Sequence, residues 1–357
     1  MAVYTTIDDP EAYFQTVLYT GNGSNDLSIT LPGDTDMQPD LVWIKQRDSR
    51  DHFLFDSVRG VTKYIASNTT AAEDTLADGL TDFNSDGFTI DDGVGINENT
   101  DAHVAWCWKA GGGAGSANTT GSINTDSTSV NTTSGFSIST YDNDGNAGDT
   151  IGHGIGIAPE FVMIKVFSHT GDWIVGSKGM DSSFDNYIKL STNAAKTNSD
   201  NQFNDTAPSS TLVTLGNNSL VNYSTSIGSF EYVCYAWAPI QGFSKFSSFV
   251  GNGNADGTFI YTGFRPAMVM LKRTDSTSSW YMQDNKRQTY NVLDTPIYAD
   301  SSGAESQSGD RLIDILSNGF KLRGSSTAIN ASGGTYIYMA FAEAPFVNSN
   351  GVPCNAR

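Results

Sequence analysis

The sequence is poor in charged side chains, above all in basic ones. Only 17% of the 357 residues are charged, and 39 acidic side chains stand against 20 basic ones, for a formal net charge of −19. Amphipathic helices need long charged side chains on their solvent face, so the composition disfavours a helical protein. Nucleic-acid binding depends on clustered Lys and Arg, and we therefore expect no nucleic-acid partner.

Other chemical signals are also missing. The 3 cysteines and 4 histidines lack the CxxC, HxxxH and HExxH spacings that are typical of metal sites. No run of about 18 apolar residues could span a membrane, and the amino terminus is too acidic for a secretory signal. We expect no metal, no cofactor and no membrane insertion.

One sequence signature, a proline followed by apolar residues and a lysine, occurs three times. The copies are Pro39–Lys45, Pro159–Lys165 and Pro266–Lys272. Each follows a turn rich in Gly, Asn and Asp, and each repeat closes with a similar apolar and aromatic strand: His103–Trp108, Tyr232–Trp237 and Tyr336–Phe341. Self-similarity at a long period indicates a repeat architecture.

Within each repeat, short apolar-alternating segments are separated by clusters of Gly, Asn, Asp and Ser. In the first repeat they predict strands near Thr16–Tyr19, Leu27–Leu31, Leu41–Gln46, Phe53–Asp56, Lys63–Ala66, Phe88–Asp91 and His103–Trp108. About seven strands in roughly a hundred residues is the size of a β-sandwich. We therefore predict an all-β protein of three tandem antiparallel β-sandwich modules, jelly-roll or concanavalin–laminin-G-like.

Composition suggests where these modules begin and end. Residues 1–110 are assigned to an N-terminal arm and the first sandwich, and 111–134 to a Gly/Ser/Thr/Asn-rich linker. Residues 135–240 form the second sandwich, and 241–357 form the third with a C-terminal tail. The polar linker predicts that the first module is better separated than the other two, and modules in series predict an elongated rod.

Helical turns are predicted at two places only. Asp9 is a good N-cap, because Pro10 and Glu11 follow it. A second short helical turn is predicted at Asp310–Leu316.

Two kinds of loop resemble ligand sites. Asp142–Asn146 with Asp149 resembles a calcium loop, but its glycine comes early and no distal Glu follows; since it aligns with Gly-Asn-Gly in the other repeats, a hairpin turn is favoured over calcium. Gly152–Gly156 and Gly251–Gly257 resemble phosphate loops, but no helical pattern follows either one. Tight turns are again the favoured reading.

Catalytic patterns are weak. GxSxG is absent, and His52 and His103 have no counterparts in the third repeat. The adjacent acidic pairs Asp8-Asp9 and Asp91-Asp92 fall in predicted turns, and nothing singles out an acid pair for glycoside cleavage. We expect no catalytic residues and no enzyme.

An aromatic residue stands eight positions after each signature lysine. These residues are Phe53, Trp173 and Trp280, and exposed aromatics on sandwiches can stack on sugars. A position that stays aromatic in all three repeats is more often part of the core. Ligand contacts are better sought among aromatics that are not repeated, and the sequence does not rank those.

Four segments resemble a family of phage virion proteins. They are the opening Tyr4–Phe14, the turn Leu18–Gly23, the run Phe55–Gly60 and the close Gly334–Phe346. The family comprises repetitive, Gly/Asn/Ser-rich, tail-fibre-like or structural proteins of tailed bacteriophages, especially those of marine bacteria. The resemblance covers nearly the whole chain and brings no catalytic pattern with it.

The resemblance implies a protein of the virion surface, at the head or the tail, with other virion proteins as partners. The expected function is that of a homotrimeric tail fibre or receptor-binding protein that engages host surface glycans, with residues 1–15 as its attachment arm. The alternative is a capsid head-decoration or head-fibre protein, which the lack of a long shaft favours. A polysaccharide-degrading tail spike is the third reading.

Overall fold

β-Strands make up 39% of the chain and helices 3% in the computed structural model, which describes residues 4–354. The pairings between the named strands of this region are antiparallel. The prediction of an all-β fold with antiparallel sheets is confirmed. No helix among the described residues is long and apolar enough to cross a membrane.

The first repeat comprises β1 (Phe14–Thr20), β2 (Leu27–Thr30), β3 (Leu41–Gln46), β4 (His52–Asp56), β5 (Lys63–Ile65), β6 (Asp74–Thr75), β7 (Leu80–Asn84), β8 (Gly87–Ile90) and β9 (Ala102–Trp108). A large sheet has the order β1-β9-β3-β4-β5-β6, and a small sheet has the order β2-β8-β7. All the strands predicted for this region are present. The sequence does not predict β6 and β7.

The second repeat comprises β10 (Thr125–Asn131), β11 (Phe136–Asp142), β12 (Thr150–Gly152), β13 (Phe161–Val166), β14 (Ile174–Ser177), β15 (Asn186–Lys189), β16 (Thr197–Asn198), α1 (Asp200–Phe203), β17 (Leu212–Thr214) and β18 (Glu231–Trp237). Its large sheet has the order β10-β11-β18-β13-β14-β15-β16, and β12 pairs with β17.

The third repeat comprises β19 (Ser244–Val250), β20 (Phe259–Tyr261), β21 (Phe264–Arg273), β22 (Trp280–Asp284), β23 (Ile297–Tyr298), β24 (Ile313–Leu316), β25 (Gly319–Leu322), α2 (Thr327–Asn330) and β26 (Thr335–Pro345). The sheet orders are β19-β26-β21-β22-β23 and β20-β25-β24. In every repeat the closing strand therefore lies beside the signature strand, which is β3, β13 or β21.

Both faces of each large sheet are buried, and this explains the continuous apolar runs of the signature strands. In β3, Val42 and Ile44 pack into the sandwich with the small sheet of the same repeat. Leu41 and Trp43, on the opposite face, belong to a core that all three repeats share. Each repeat is thus a sandwich whose large sheet has a second buried face.

The shared core lies where the inner faces of the three large sheets meet. Trp108, Trp237 and Phe341 occupy equivalent positions on the closing strands, because each pairs with the third residue of its own signature. The ring centroid of Trp108 lies 6.3 Å from that of Trp237 and 5.6 Å from that of Phe341. The repeats therefore surround a common axis. The expected rod with a separated first module is wrong, because the first repeat packs on both of the others.

Backbone hydrogen bonds join the repeats in a ring. The N–H of Glu73 in the first repeat donates to the carbonyl oxygen of Phe167 in the second (2.7 Å). Lys196 of the second repeat donates in the same way to Thr274 of the third (2.9 Å). Glu305 of the third repeat donates to Arg47 of the first (2.8 Å). Each acceptor lies two positions after a signature lysine, so one contact occurs three times and the ring closes within one chain.

Ring nitrogens repeat this pattern deeper in the molecule. Trp173 Nε1 donates to the carbonyl oxygen of Ala66 (2.8 Å), and Trp280 Nε1 donates to that of Lys189 (2.9 Å). His52 Nε2 lies 3.0 Å from the carbonyl oxygen of Tyr298. In the strand registers, His52 pairs with Lys45 and Trp280 pairs with Lys272. Trp173 directly precedes Ile174, the partner of Ile164, and therefore stands opposite Lys165. The residue of the first repeat that is equivalent to Trp173 and Trp280 is therefore His52 and not the predicted Phe53, because β4 begins one residue earlier than the sequence spacing suggests.

The predicted linker is built into the fold. The carboxylate of Asp40 accepts hydrogen bonds from the N–H groups of Ala110 (2.7 Å), Gly112 (3.0 Å) and Gly113 (2.7 Å). Further on, β10 lies within residues 111–134 and forms the edge of the second large sheet. The segment is therefore fixed by hydrogen bonds rather than left as a flexible connection.

The predicted attachment arm begins with residues 1–3, which lie outside the described residues. From Tyr4 onward the segment is docked, and Ile7 belongs to the shared core. Asp9 caps a 3₁₀ turn at Pro10–Ala12, as expected, by accepting from the N–H of Glu11 (3.1 Å). The helical turn predicted at Asp310–Leu316 is wrong, because Ile313–Leu316 form β24, in which the side chains of Ile313 and Ile315 are buried.

Candidate ligand-binding surface

The three signature lysines are buried and have a structural role. Lys165 Nζ donates to the carbonyl oxygens of Gly171 in its own repeat and Thr70 in the first repeat. Lys272 Nζ donates likewise to Ser278 and, in the second repeat, to Asn193. Burial lowers the pKa of Lys45, Lys165 and Lys272 to about 8, and nearby carboxylates oppose this shift. All three lysines hold the loop that follows their own strand, and Lys165 and Lys272 also hold a loop of the preceding repeat.

The glycine-rich turns connect the large sheet of each repeat with its small sheet. A buried asparagine holds each turn through its Oδ1, which accepts from the N–H of the turn: Asn97 from Asn22, Asn222 from Asp144 and Gly145, and Asn330 from Asn252. The strands on either side of these turns belong to different sheets. The turns are therefore crossovers, and the hairpin expected at Asp142–Asp149 is a connection between sheets.

The residues considered for catalysis have structural surroundings. His52 and His103 are buried, and burial lowers the pKa of both, that of His52 to about 3. Asp8 accepts hydrogen bonds from Ser349, and Asp91 accepts one from the N–H of Asp26. Among residues 4–354, no group of three or more His, Cys, Asp and Glu side chains could hold a metal ion.

The clearest departure from the repeat pattern is on the small sheet of the third repeat. In β20, Phe259 and Tyr261 point outward and are 44% and 48% exposed, while Ile260 points inward and pairs with Phe320. In the first repeat, the pairing of Ile29 with Phe88 identifies the equivalent strand. The outward positions there are Ser28 and Thr30, which are exposed and polar. The third repeat thus has two exposed aromatic rings where the first has two hydroxyl groups.

The neighbouring strands differ from the first repeat at two of four outward positions. Beside Phe259 and Tyr261 the outward positions of β25 are Lys321 and Gly319, and those of β24 are Asp314 and Leu316. The corresponding residues of the first repeat are Thr89, Gly87, Asp82 and Asn84. The glycine is common to both repeats, because a Cβ there would lie 2.1 Å from the carbonyl oxygen of Ile260 or 2.0 Å from that of Ile29.

A cavity of about 440 Å³ lies beside Tyr261. Tyr4, Lys245 and Glu160 contribute to its wall. The hydroxyl of Tyr4 donates to the carbonyl oxygen of Gly263 (3.0 Å) and lies 2.9 Å from the hydroxyl of Tyr261. Burial and the neighbouring hydroxyl raise the pKa of Tyr4, so this phenol stays neutral at ordinary pH. Gly263, at φ +89°, could not carry a side chain without strain.

A second cavity, of about 700 Å³, lies next to the first. Arg265 and Glu343 form an ion pair in its wall, and Tyr290, which is 85% exposed, stands at its rim. The two cavities meet at the turns of β20 and β24, where Thr262 and Gly263 both donate to the carbonyl oxygen of Asn318. The aromatic strand and the two cavities form one surface, which we call the third-repeat surface.

This arrangement can accommodate a ligand that has both an apolar face and polar groups. Ligand sites combine concave apolar walls with a few polar groups that fix orientation. Aromatic faces carry partial negative charge and attract the C–H groups of a flat apolar face, while Lys245 and the phenol hydroxyls are hydrogen-bond donors and acceptors. A pyranose ring presents both an apolar face and hydroxyl groups.

Sequence reasoning did not select Phe259 or Tyr261. The signal that could have found them is the comparison of Leu27–Thr30 with 258–261, aligned on the shared isoleucine. The outward residues are then a hydroxyl pair in one repeat and an aromatic pair in the other.

Fold and surface together define an all-β protein of antiparallel sandwich sheets with an exposed aromatic pair beside two cavities. The family model described as "Domain of unknown function (DUF7483)" matches residues 9–345. The chain belongs to this family, which spans nearly all of its length. No curated protein and no solved structure matches the chain.

Proposed function

We propose that this chain is a non-enzymatic structural protein of a phage virion that binds host surface glycans through the third-repeat surface. One observation carries the binding part of the proposal: Phe259 and Tyr261 are exposed where the first repeat has Ser28 and Thr30. An exposed aromatic pair has an unfavourable hydration cost. A ligand with an apolar face would explain why aromatic residues occupy positions that are polar in the first repeat.

The virion part of the proposal rests on the resemblance of the opening and closing segments, Tyr4–Phe14 and Gly334–Phe346, to virion proteins. The net charge of −19 supports it, because like charges keep surface components of neighbouring particles apart. The partners are then other virion proteins, and the location is the particle surface.

The alternative, a capsid head-decoration or head-fibre protein, is favoured by a different observation. The three repeats pack around one core, so residues 4–354 form a body without a shaft. A decoration protein would attach through a face of this body.

Glycan binding is tested with the double variant Phe259→Ser, Tyr261→Thr. It copies the outward residues of the first repeat, so the strand pairing of β20 has a natural precedent in the same chain. The matched control is Ile227→Ser, which removes an exposed apolar side chain (64% exposed) from the second repeat. Binding of each purified protein to host cells and to an array of bacterial surface polysaccharides is measured.

We expect the double variant to lose at least tenfold in affinity, since stacking on each ring contributes of the order of 1 kcal/mol. The control is expected to bind as the parent does. Equal binding by the double variant and the parent would contradict the proposed site. Binding of the parent to particles but to no cell or glycan would favour the decoration protein, and release of reducing ends would favour the tail spike.

The oligomeric state and the location on the particle can each be measured directly. The ring of contacts closes within one chain, so we propose that a single copy is the folded unit. Sedimentation of the purified protein decides whether three such units associate into the homotrimer of a fibre. Labelling of particles with an antibody against the chain decides between head and tail.

A further inference from the structure

Lys245 places a positive charge in the cavity beside Tyr261. Its Nζ donates to the carbonyl oxygen of Tyr261 (2.7 Å) and lies 5.4 Å from the centroid of the Tyr261 ring. Within residues 4–354 no carboxylate forms an ion pair with it, whereas Lys178, which borders the same region, has one. An ammonium group has three hydrogens to donate, so Lys245 can still donate to a ligand.

The only acidic side chain in the described wall of this cavity is already engaged. Glu160 Oε1 accepts from Lys178 Nζ at 2.6 Å. The wall therefore contains one ammonium group and one carboxylate, and because that carboxylate pairs with Lys178, Lys245 is left without an ion-pair partner among the described residues. Burial lowers the pKa of Lys245, and the charge of Glu160 opposes that shift. A partly desolvated ammonium group is best compensated by an anion.

The remaining walls are neutral and in part aromatic. The rings of Tyr4 and Tyr261 stand beside the ammonium group, and their hydroxyls are bonded to each other. A single ammonium group matches a monoanionic carboxylate, whereas phosphate recognition usually employs Arg in a bidentate geometry or several donors. Arg265, in the wall of the second cavity, is paired with Glu343.

We propose that the third-repeat surface selects acidic saccharides, with the carboxylate of a uronic acid residue bound by Lys245 and its pyranose face stacked on Tyr261. This assignment rests on the proposed glycan-binding function and adds the chemical class of the ligand. The Tyr4–Tyr261 hydroxyl pair then lies beside the ring hydroxyls of the bound sugar. The attraction is local, because the net charge of the whole protein would repel an anionic polymer.

The test uses the full chain and three oligouronates, built from glucuronate, galacturonate and mannuronate. Each is compared with the neutral hexose oligomer made by reducing its carboxylates, and a sugar phosphate serves as a further probe. The variants are Lys245→Met and Tyr261→Thr. The matched control is Lys286→Met, which removes a charge from the same repeat outside the wall of this cavity. Affinities are measured by calorimetry at two salt concentrations.

We expect at least one oligouronate to bind ten or more times as tightly as its reduced counterpart, as a charge-assisted hydrogen bond allows. Lys245→Met should abolish that preference, because it weakens binding of the oligouronate far more than binding of the reduced oligomer, and Lys286→Met should change neither affinity. Added salt should weaken binding of the oligouronate only.

Equal affinity for the acidic and reduced oligomers, or an unchanged preference in Lys245→Met, overturns the assignment. If Tyr261→Thr still weakens binding of both the acidic and the reduced oligomers, the proposed glycan-binding function stands without the assignment to acidic saccharides. Tighter binding of the sugar phosphate than of every oligouronate overturns the choice of carboxylate. Binding of no oligomer by the parent protein counts against the assignment and the proposed function together.

Discussion

The guanidinium of Arg47 forms an ion pair with the carboxylate of Glu305, 258 positions further along the chain. The same two residues share a backbone hydrogen bond, from the N–H of Glu305 to the carbonyl oxygen of Arg47. This contact joins the last repeat to the first. It makes the ring of three repeats continuous, and the stability of the protein should depend on contacts between repeats as much as within them.

The indole hydrogen bonds between repeats give the first prediction. Trp173→Phe removes the donor to the carbonyl oxygen of Ala66 and leaves that buried acceptor without its partner. Trp237→Phe is the matched control, because Trp237 Nε1 has no partner among the described residues. We expect the free energy of unfolding in urea to fall by about 1 kcal/mol more in Trp173→Phe. Equal losses would mean that the bond between repeats contributes nothing.

A buried ion pair gives the second prediction. Arg59 pairs with Asp56, both side chains are at most 1% exposed, and Tyr235 of the second repeat donates to the same carboxylate (2.6 Å). Arg59→Met strands a buried carboxylate, and we expect a loss of about 3–5 kcal/mol in the free energy of unfolding. Arg50→Met, which breaks the more exposed pair with Glu98, should cost less than about 1 kcal/mol.

The second repeat supplies a rescue for that variant. Ser177 and Met180 stand where the first repeat has Asp56 and Arg59, as the strand registers show. The double variant Asp56→Ser, Arg59→Met should recover most of the lost free energy of unfolding, because it removes the stranded charge. If the double variant is as unstable as Arg59→Met alone, the stranded charge is not the cause.

Acid should destabilise the protein through His52, the third prediction. Burial, and next the charge of Lys45, lower the pKa of His52 to about 3, whereas an unfolded histidine has a pKa of about 6.5. Between these values the unfolded state binds more protons, so the free energy of unfolding falls as pH falls through 6.5 towards 3. Protonation would also take away the acceptor for Trp43 Nε1, which donates to Nδ1 (2.8 Å).

The third repeat shows which side chains can replace Trp43 and His52 in a variant without this histidine. Trp43→Met with His52→Trp copies Met270 and Trp280 of the third repeat. Urea unfolding between pH 4 and 6.5 should then show a shallower decline, by up to about 1.4 kcal/mol per pH unit. An unchanged slope in the double variant would show that His52 does not bind protons on unfolding.

Removal of the third repeat tests the shared core. A chain that ends at residue 240 exposes the inner faces around Trp108 and Trp237, which pack with Phe341 in the complete protein. We expect aggregation or the loss of a single cooperative unfolding transition. A chain that lacks only residues 348–357 should unfold as the parent does. A truncated chain that keeps a cooperative transition would show that the first two repeats fold without the third.

The fold could be predicted from the sequence as far as strands and repeats go. The signature strands and the turns are local patterns, and their positions in β3, β13 and β21 agree with the structure. The arrangement of the repeats could not be predicted, because a strand with one extra buried face reads like any other continuous apolar run. Gly111–Ser116 likewise reads as a linker, since nothing in its own composition indicates that Asp40 binds its N–H groups.

The candidate site was harder to predict for a related reason. The repeated aromatics Trp173 and Trp280 are the most conspicuous in the sequence, and they are buried between repeats. Phe259 and Tyr261 stand out only when β20 is aligned with β2, and that alignment depends on the pairing of short strands. Lys245 is on a different sheet from Tyr261, so only the folded chain brings the two together.

The crossover turns and the inner faces of the large sheets constrain the sequence of all three repeats in the same way. The small sheets lie on the outside of the molecule and do not share this constraint. Substitutions on one outer sheet therefore leave the packing of the other two repeats unaffected. The exposed ring of Tyr261 and the hydroxyl of Thr30 occupy matching positions on a single body. A chain of this design can change the outer face of one repeat without refitting its interior.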